Sequence, residues 1–180
     1  MQQVVDLYAE HAAGLCRYAV ALVKDSHKAE DLVQEVFLRF LAERSLGHPV
    51  HNPKAWMYRV LRNLALDRLR EVRRSAEVGF GQLPDEFEPA ASPDESIERR
   101  QTADSVASAL SGRELECARL RNEGLRYEEI AAVLGIRVGT VGTLLSRAYK
   151  KTREVLDDSR SVPHGGPFPR RSIAKASGPA

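Results

Sequence analysis

The chain has 180 residues, 43% apolar and 29% charged, with a net charge of +2. That length holds one ordinary domain or two small ones, with enough apolar side chains for a core, which excludes a chain disordered throughout. No run nears the roughly 18 consecutive apolar residues of a membrane span, and MQQVVDLYAEH lacks the basic start and apolar run of a secretory signal, so a cytoplasmic chain with no membrane contact of its own is expected.

Apolar residues recur at helical steps along nearly the whole chain, and no run alternates β-branched residues, so the predicted class is all-α. Helices are expected at about 3–23, 27–44, 53–74, 94–110, 112–123, 127–134 and 138–156. Cys16 and Cys117 each lie within an apolar helical pattern and read as buried thiols in a reducing compartment; no disulfide framework, metal site or cofactor is indicated.

In the second helix Ala29, Leu32, Val33, Val36, Phe37, Phe40 and Leu41 form a core-facing stripe. The far side carries Asp31, Gln34, Glu35 and Leu38, also at steps of three and four. That face could dock on a basic partner, but by periodicity alone a solvated helix face with one stray leucine is the favoured reading. His48 and His51 follow in a loop, the only tight histidine pair, with no companion Cys, Asp or Glu at metal-ligand spacing, so neither a metal site nor a catalytic residue is expected.

The third helix opens at Asn52-Pro53, an N-cap followed by a proline at the first helical position. Met57, Val60, Leu61, Leu64 and Leu69 make its buried stripe, leaving Trp56, Arg59, Asn63, Asp67, Arg70 and Arg74 along another side. An aromatic ring in line with arginines and an amide offers a stacking surface for an unpaired base, hydrogen bonds for a base edge and cations for phosphates. A plainer alternative has Trp56 anchoring the helix start in the core with the arginines solvated.

Charge is segregated in a way the net value hides. Residues 54–74 carry Lys54, Arg59, Arg62, Arg68, Arg70, Arg73 and Arg74 against Asp67 and Glu71, whereas 76–98 carry seven acids and no Lys or Arg. The first block suits a polyanion and the second repels one. Residues 76–98 read as an acidic linker between domains at 1–75 and 99–156, which therefore need not touch, and 157–180 as a disordered tail rich in Pro, Gly and Ser.

In the second domain Ser92-Pro93-Asp94-Glu95 and Ser111-Gly112-Arg113-Glu114 have capping-box spacing. YEEIAAVLGIRVGTVGTLLSRAYKK then has the spacing of a helix-turn-helix, with small Ala131 where two helices cross, Gly135 at the turn, and Val141, Leu144 and Leu145 in the second helix. That helix presents Arg137, Thr140, Thr143 and Arg147 to a major groove, with Lys150 and Lys151 near phosphates.

Together these segments resemble the sigma factors of bacterial RNA polymerase, in the compact extracytoplasmic-function group, over residues 3–156. AEDLVQEVFLRFL resembles the region-two motif that docks on the clamp helices of the polymerase β′ subunit, NPKAWMYRVLRNLALDRLR the adjoining promoter-opening part, and LSGRELECARLRNEGLRYEEIAAVLGIRVGTV the region four that reads the minus-thirty-five element. The resemblance implies a non-enzymatic initiation factor whose partners are core RNA polymerase (β′ clamp helices and β flap), promoter DNA, duplex and single-stranded, and an anti-sigma protein. It implies polymerase docking through Asp31, Gln34, Glu35 and Leu38, minus-ten contacts through Trp56, Arg59, Asn63 and Arg70, and minus-thirty-five contacts through Arg126, Arg137, Thr140, Thr143 and Arg147. It also implies that the loop RSLGHPVHNP holds a flipped base, and that the acidic linker follows channels lined for nucleic acid.

Two departures stand out. VGTVGTLLSRA supplies Gly142, Thr143 and Leu144 where members of that family commonly show a lysine or arginine, and Arg126 stands where a serine or threonine cap is common. The competing reading is a stand-alone helix-turn-helix regulator on duplex operators, and the aromatic-basic row of the first domain speaks against it.

Overall fold

A computed structural model describes residues 2–78 and 97–161, and every regular element among them is an α-helix. In chain order they are α1 (Gln2–Val23), α2 (Ser26–Ser45), α3 (Pro53–Val78), α4 (Ile97–Ala109), α5 (Gly112–Asn122), α6 (Tyr127–Leu134) and α7 (Val138–Ser161). The ends of α1, α2, α5 and α6 fall within a residue or two of those expected. By contrast α3 and α7 run four and five residues beyond the positions at which their stripes end. The acidic linker therefore lies outside the described residues except at its two ends, as do the Ser92 capping box and the tail from 162 onward.

Local chemistry sets the helix starts. The Asp25 side chain accepts from the Lys28 N–H at 3.1 Å and caps α2. The Asn52 Oδ1 accepts from the Ala55 N–H at 3.0 Å to cap α3. At α5 the capping box is complete: Ser111 Oγ accepts from the Glu114 N–H, and the Glu114 carboxylate accepts from the Ser111 N–H at 2.9 Å. At α6 arginine has no acceptor to offer, and the cap works in reverse, the Glu129 carboxylate accepting from the Arg126 N–H at 2.6 Å and from its guanidinium at 3.2 Å.

The first unit packs α1, α2 and α3 against one another. Ala29, Leu32, Val33, Val36, Phe37 and Phe40 are buried in it as expected, but Leu41 remains 36% exposed, because at 3.6 residues per turn it falls on the margin of the stripe. In α3 the buried arc is Met57, Tyr58, Leu61 and Ala65, with Val60 and Leu64 at its edge. The second unit gathers α4, α5 and α6 around α7. Ile130, Ala131, Val133, Val141, Leu145 and Ala148 are buried there, each large aliphatic side chain stabilising the unit by about 1.5–3 kcal/mol. Gly135 closes α6 with φ +66°, the left-handed turn that its place in the sequence predicts.

The two units touch. The linker length permits separation, yet α3 packs on α6, and the buried apolar residues of both units form one contiguous cluster.

Candidate nucleic-acid interface

The stripe on the inner side of α2 leaves Asp31, Gln34 and Leu38 exposed, with Glu35 half-buried. Leu38 is 61% exposed, a leucine that contributes nothing to the core. Glu35 accepts from Arg39 Nε at 2.8 Å, one turn further along. An exposed pair of this kind adds about 0–1 kcal/mol, so it leaves the face available to a competitor.

On α3, Arg59, Asn63 and Arg70 are exposed on the flank opposite the buried arc. Arg70 Nη1 donates to Asp67 Oδ1 at 2.7 Å. Trp56 sits differently from the rest of its row. It is half-buried against the core, its ring centroid 5.7 Å from that of Phe40 at 59°. The ring thus belongs partly to the core and partly to the flank, between the two alternatives its position in the sequence offers. The loop ahead of α3 is exposed over 46–49, and there His48 Nδ1 lies 2.8 Å from Glu43 Oε2. Among the described residues no group of three or more His, Cys, Asp or Glu is placed to hold a metal ion.

In the second unit Arg126, Arg137, Thr140, Thr143 and Arg147 are all exposed; Arg137 directly precedes α7, and the last three lie along its N-terminal half. Thr143 Oγ1 donates to the Gly139 carbonyl at 3.1 Å. A Cβ at Gly139 would meet nothing within 4 Å, and one at Gly142 would only reach ordinary contact with Tyr127 at 3.9 Å. Packing within the chain therefore does not require either glycine. Below this surface Lys151 Nζ donates to Glu114 Oε2 at 2.7 Å, so this lysine ties α7 to α5, where the sequence suggested a phosphate contact.

Two family models match the chain: Sigma-70 region 2 over residues 7–75 and Sigma-70 region 4 over residues 108–152. The ECF RNA polymerase sigma factor SigL of Mycobacterium tuberculosis H37Rv is 34% identical over 156 residues, 84% of this chain and 88% of SigL. The chain is an extracytoplasmic-function sigma factor. A second relative, the ECF sigma factor BldN of Streptomyces coelicolor, is 32% identical over 86% of this chain and 61% of BldN. Among solved structures, the sigma factor RpoE in complex with the anti-sigma factor NepR from Bartonella quintana matches with a TM-score of 0.65 and 27% identity, over 84% of this chain and 97% of that one. Sigma factors bind core RNA polymerase and direct it to promoters, and this chain carries both of the regions concerned, with no single helix among the described residues long and apolar enough to cross a membrane.

The structure also brings together residues that periodicity did not single out. Tyr18 and Tyr58 are buried, their rings 5.6 Å apart, and each hydroxyl faces a glutamate of the second unit. Burial, with Glu116 beside Tyr18 and Glu123 beside Tyr58, pushes both phenols up, so both stay protonated donors. Gly14, a helix-interior glycine in α1, is the signal that points to this place: a Cβ there would lie 2.5 Å from Glu123 Oε2 and 2.6 Å from the Tyr58 hydroxyl.

Proposed function

We propose that this alternative sigma factor divides its work among three surfaces. Asp31, Gln34, Glu35 and Leu38 dock on core RNA polymerase through its β′ clamp helices. Trp56, Arg59, Asn63 and Arg70 hold the opened minus-ten strand. Arg126, Arg137, Thr140, Thr143 and Arg147 meet the duplex at minus thirty-five. The observation that carries this reading is the flank of α3, where Arg59, Asn63 and Arg70 stand exposed in line with a half-buried tryptophan while the core is served by the opposite arc. A helix that only packed would have no use for that row.

The chemistry needed is binding. Extruding a base costs a few kcal/mol, and stacking of about 1–3 kcal/mol per base on an aromatic ring offsets it, with Arg59 and Arg70 neutralising phosphates and Asn63 reading a base edge. Strand opening then follows from preferential affinity for the separated strand, with no bond made or broken by the protein, in the cytoplasm where polymerase and template meet. An anti-sigma protein, the partner in the similar Bartonella structure, completes the partner set.

Two substitutions test the division. Replacing Asp31, Gln34, Glu35 and Leu38 together by alanine lowers affinity for core polymerase at least about tenfold, or ~1.4 kcal/mol, with helical content unchanged; wild-type affinity rules out the docking face. Replacing Trp56 and Asn63 by alanine spares closed-complex formation but lowers permanganate reactivity of promoter thymines, and wild-type reactivity rules out the role given to that flank.

A further inference from the structure

α1, the start of α3 and the turn between α5 and α6 enclose a cavity of about 340 Å³, and none of the residues lining it belongs to the docking or DNA-reading surfaces. Its charges are unevenly used. Glu123 is engaged, accepting from Arg17 Nε at 3.0 Å and Nη2 at 2.7 Å, with the Tyr58 hydroxyl at 3.5 Å, so that carboxylate has little left to offer another cation. Lys54, by contrast, is half-buried and makes no ion pair among the described residues. Its Nζ lies 3.2 Å from where a Cβ of Gly124 would stand, at a turn glycine with φ +78°, so the ammonium rests against bare backbone. Lys54 also falls in the first turn of α3, where the partial positive charge of the helix end adds to its own.

His11 lines the same cavity and is 8% exposed. Its neighbour Glu10 has a carboxylate oxygen 3.7 Å from Nε2, too far for a hydrogen bond. Among the described residues no side-chain nitrogen or oxygen is both sealed from solvent and without a partner, so the small open area of His11 includes its ring nitrogens, on the cavity side. Burial lowers its pKa, Glu10 raises it and Lys54 lowers it, with the net shift downward; an anion set beside both groups would pair the lysine and favour the charged ring. The side-chain amide of Asn122, also in the lining, is a third donor. Three donors suit the three free oxygens of a phosphate monoester better than the two of a carboxylate. The volume is at the lower end of the roughly 300–1,000 Å³ of small-molecule sites, and Glu10, its side chain 71% exposed at the rim, is an acceptor for hydroxyl groups.

We propose that this cavity binds a small phosphate monoester with a hydroxylated remainder, the phosphate held by Lys54, His11 and Asn122 and the hydroxyls by Glu10. The unpaired lysine and the buried, unpartnered histidine then have the counterion and acceptor that the chain itself does not supply to them.

The test follows the imidazole resonances of the five histidines of the full chain by nuclear magnetic resonance, at constant ionic strength, during titration with glycerol 3-phosphate and separately with inorganic phosphate. The His11 signal is identified by its loss in His11→Gln or, should that variant lose helix by circular dichroism, by through-bond correlation to the wild-type backbone. Both probes are expected to shift His11 saturably, glycerol 3-phosphate with a Kd of about 1 mM or lower and inorganic phosphate more weakly. Lys54→Gln raises that Kd at least about tenfold, and Lys54→Arg, which keeps the charge, largely retains the affinity. A His11 signal that neither probe moves, or a Kd unchanged in Lys54→Gln, overturns the site. Shifts confined to the other histidines mark anions screening the exposed basic rows and overturn it equally. Inorganic phosphate binding as tightly as glycerol 3-phosphate overturns the hydroxylated remainder. No readout involves polymerase or promoter, so the site stands or falls independently of the function proposed above.

Discussion

Glu114 shows how much one side chain can settle. It closes the capping box with Ser111 and receives Lys151 Nζ from α7, so a single carboxylate joins a helix start to a neighbouring helix. The Lys151 hydrogen bond first, then the Ser111 N–H, lower its pKa from 4.5 to about 2. A carboxyl held low contributes stability that is full above its unfolded value and is lost as pH falls through the folded one. The thermal midpoint of Glu114→Gln is therefore expected below that of wild type above about pH 4.5, the gap closing as pH falls towards 2; a gap independent of pH contradicts the pairing. This cap was legible because Ser111 and Glu114 are three residues apart. Lys151 was not, since 37 residues separate it from its partner and its place near a basic helix end suggested phosphate. Trp56 was half legible: sequence spacing puts it on the exposed flank, and only packing shows that its ring also leans on Phe40.

At the scale of elements, the helix-turn-helix offers a paired comparison between two glycines. Gly135 takes φ +66° with open space where a Cβ would stand, so Gly135→Ala suffers only the conformational penalty and destabilises the second unit by about 1–2 kcal/mol. Gly139 is helical with equally open space, so Gly139→Ala stabilises by up to about 0.5–1 kcal/mol. If the glycine lets the α7 backbone close on the groove, that stabilised variant binds minus-thirty-five duplex more weakly. Calorimetric unfolding and a duplex-binding titration on polymerase holoenzyme separate the two effects, and a variant gaining both stability and affinity contradicts the role given to Gly139. Elements of this kind were legible to within a residue or two wherever a cap or a turn glycine marks the end. At the C-termini of α3 and α7 the expected ends came from a fading apolar stripe, a poor marker because a helix continues as long as its backbone hydrogen bonds do; for α3 the better marker was Gly79, directly after Val78.

For the whole molecule, two helical units in order with an acidic stretch between them could be read from charge and period. Their contact could not, because hydrogen bonds between residues 54 to 106 positions apart leave no periodic trace, and Gly14 hints at close approach without naming what approaches. The reading proposed for the whole chain is that opened DNA is held along the flank of α3 while the chain rides on polymerase. The most direct test is run-off transcription with purified chain and core RNA polymerase on a genomic promoter library. Discrete start sites that disappear when Trp56 and Asn63 are replaced are the expected result; no start site directed by the wild-type chain on any template contradicts the account.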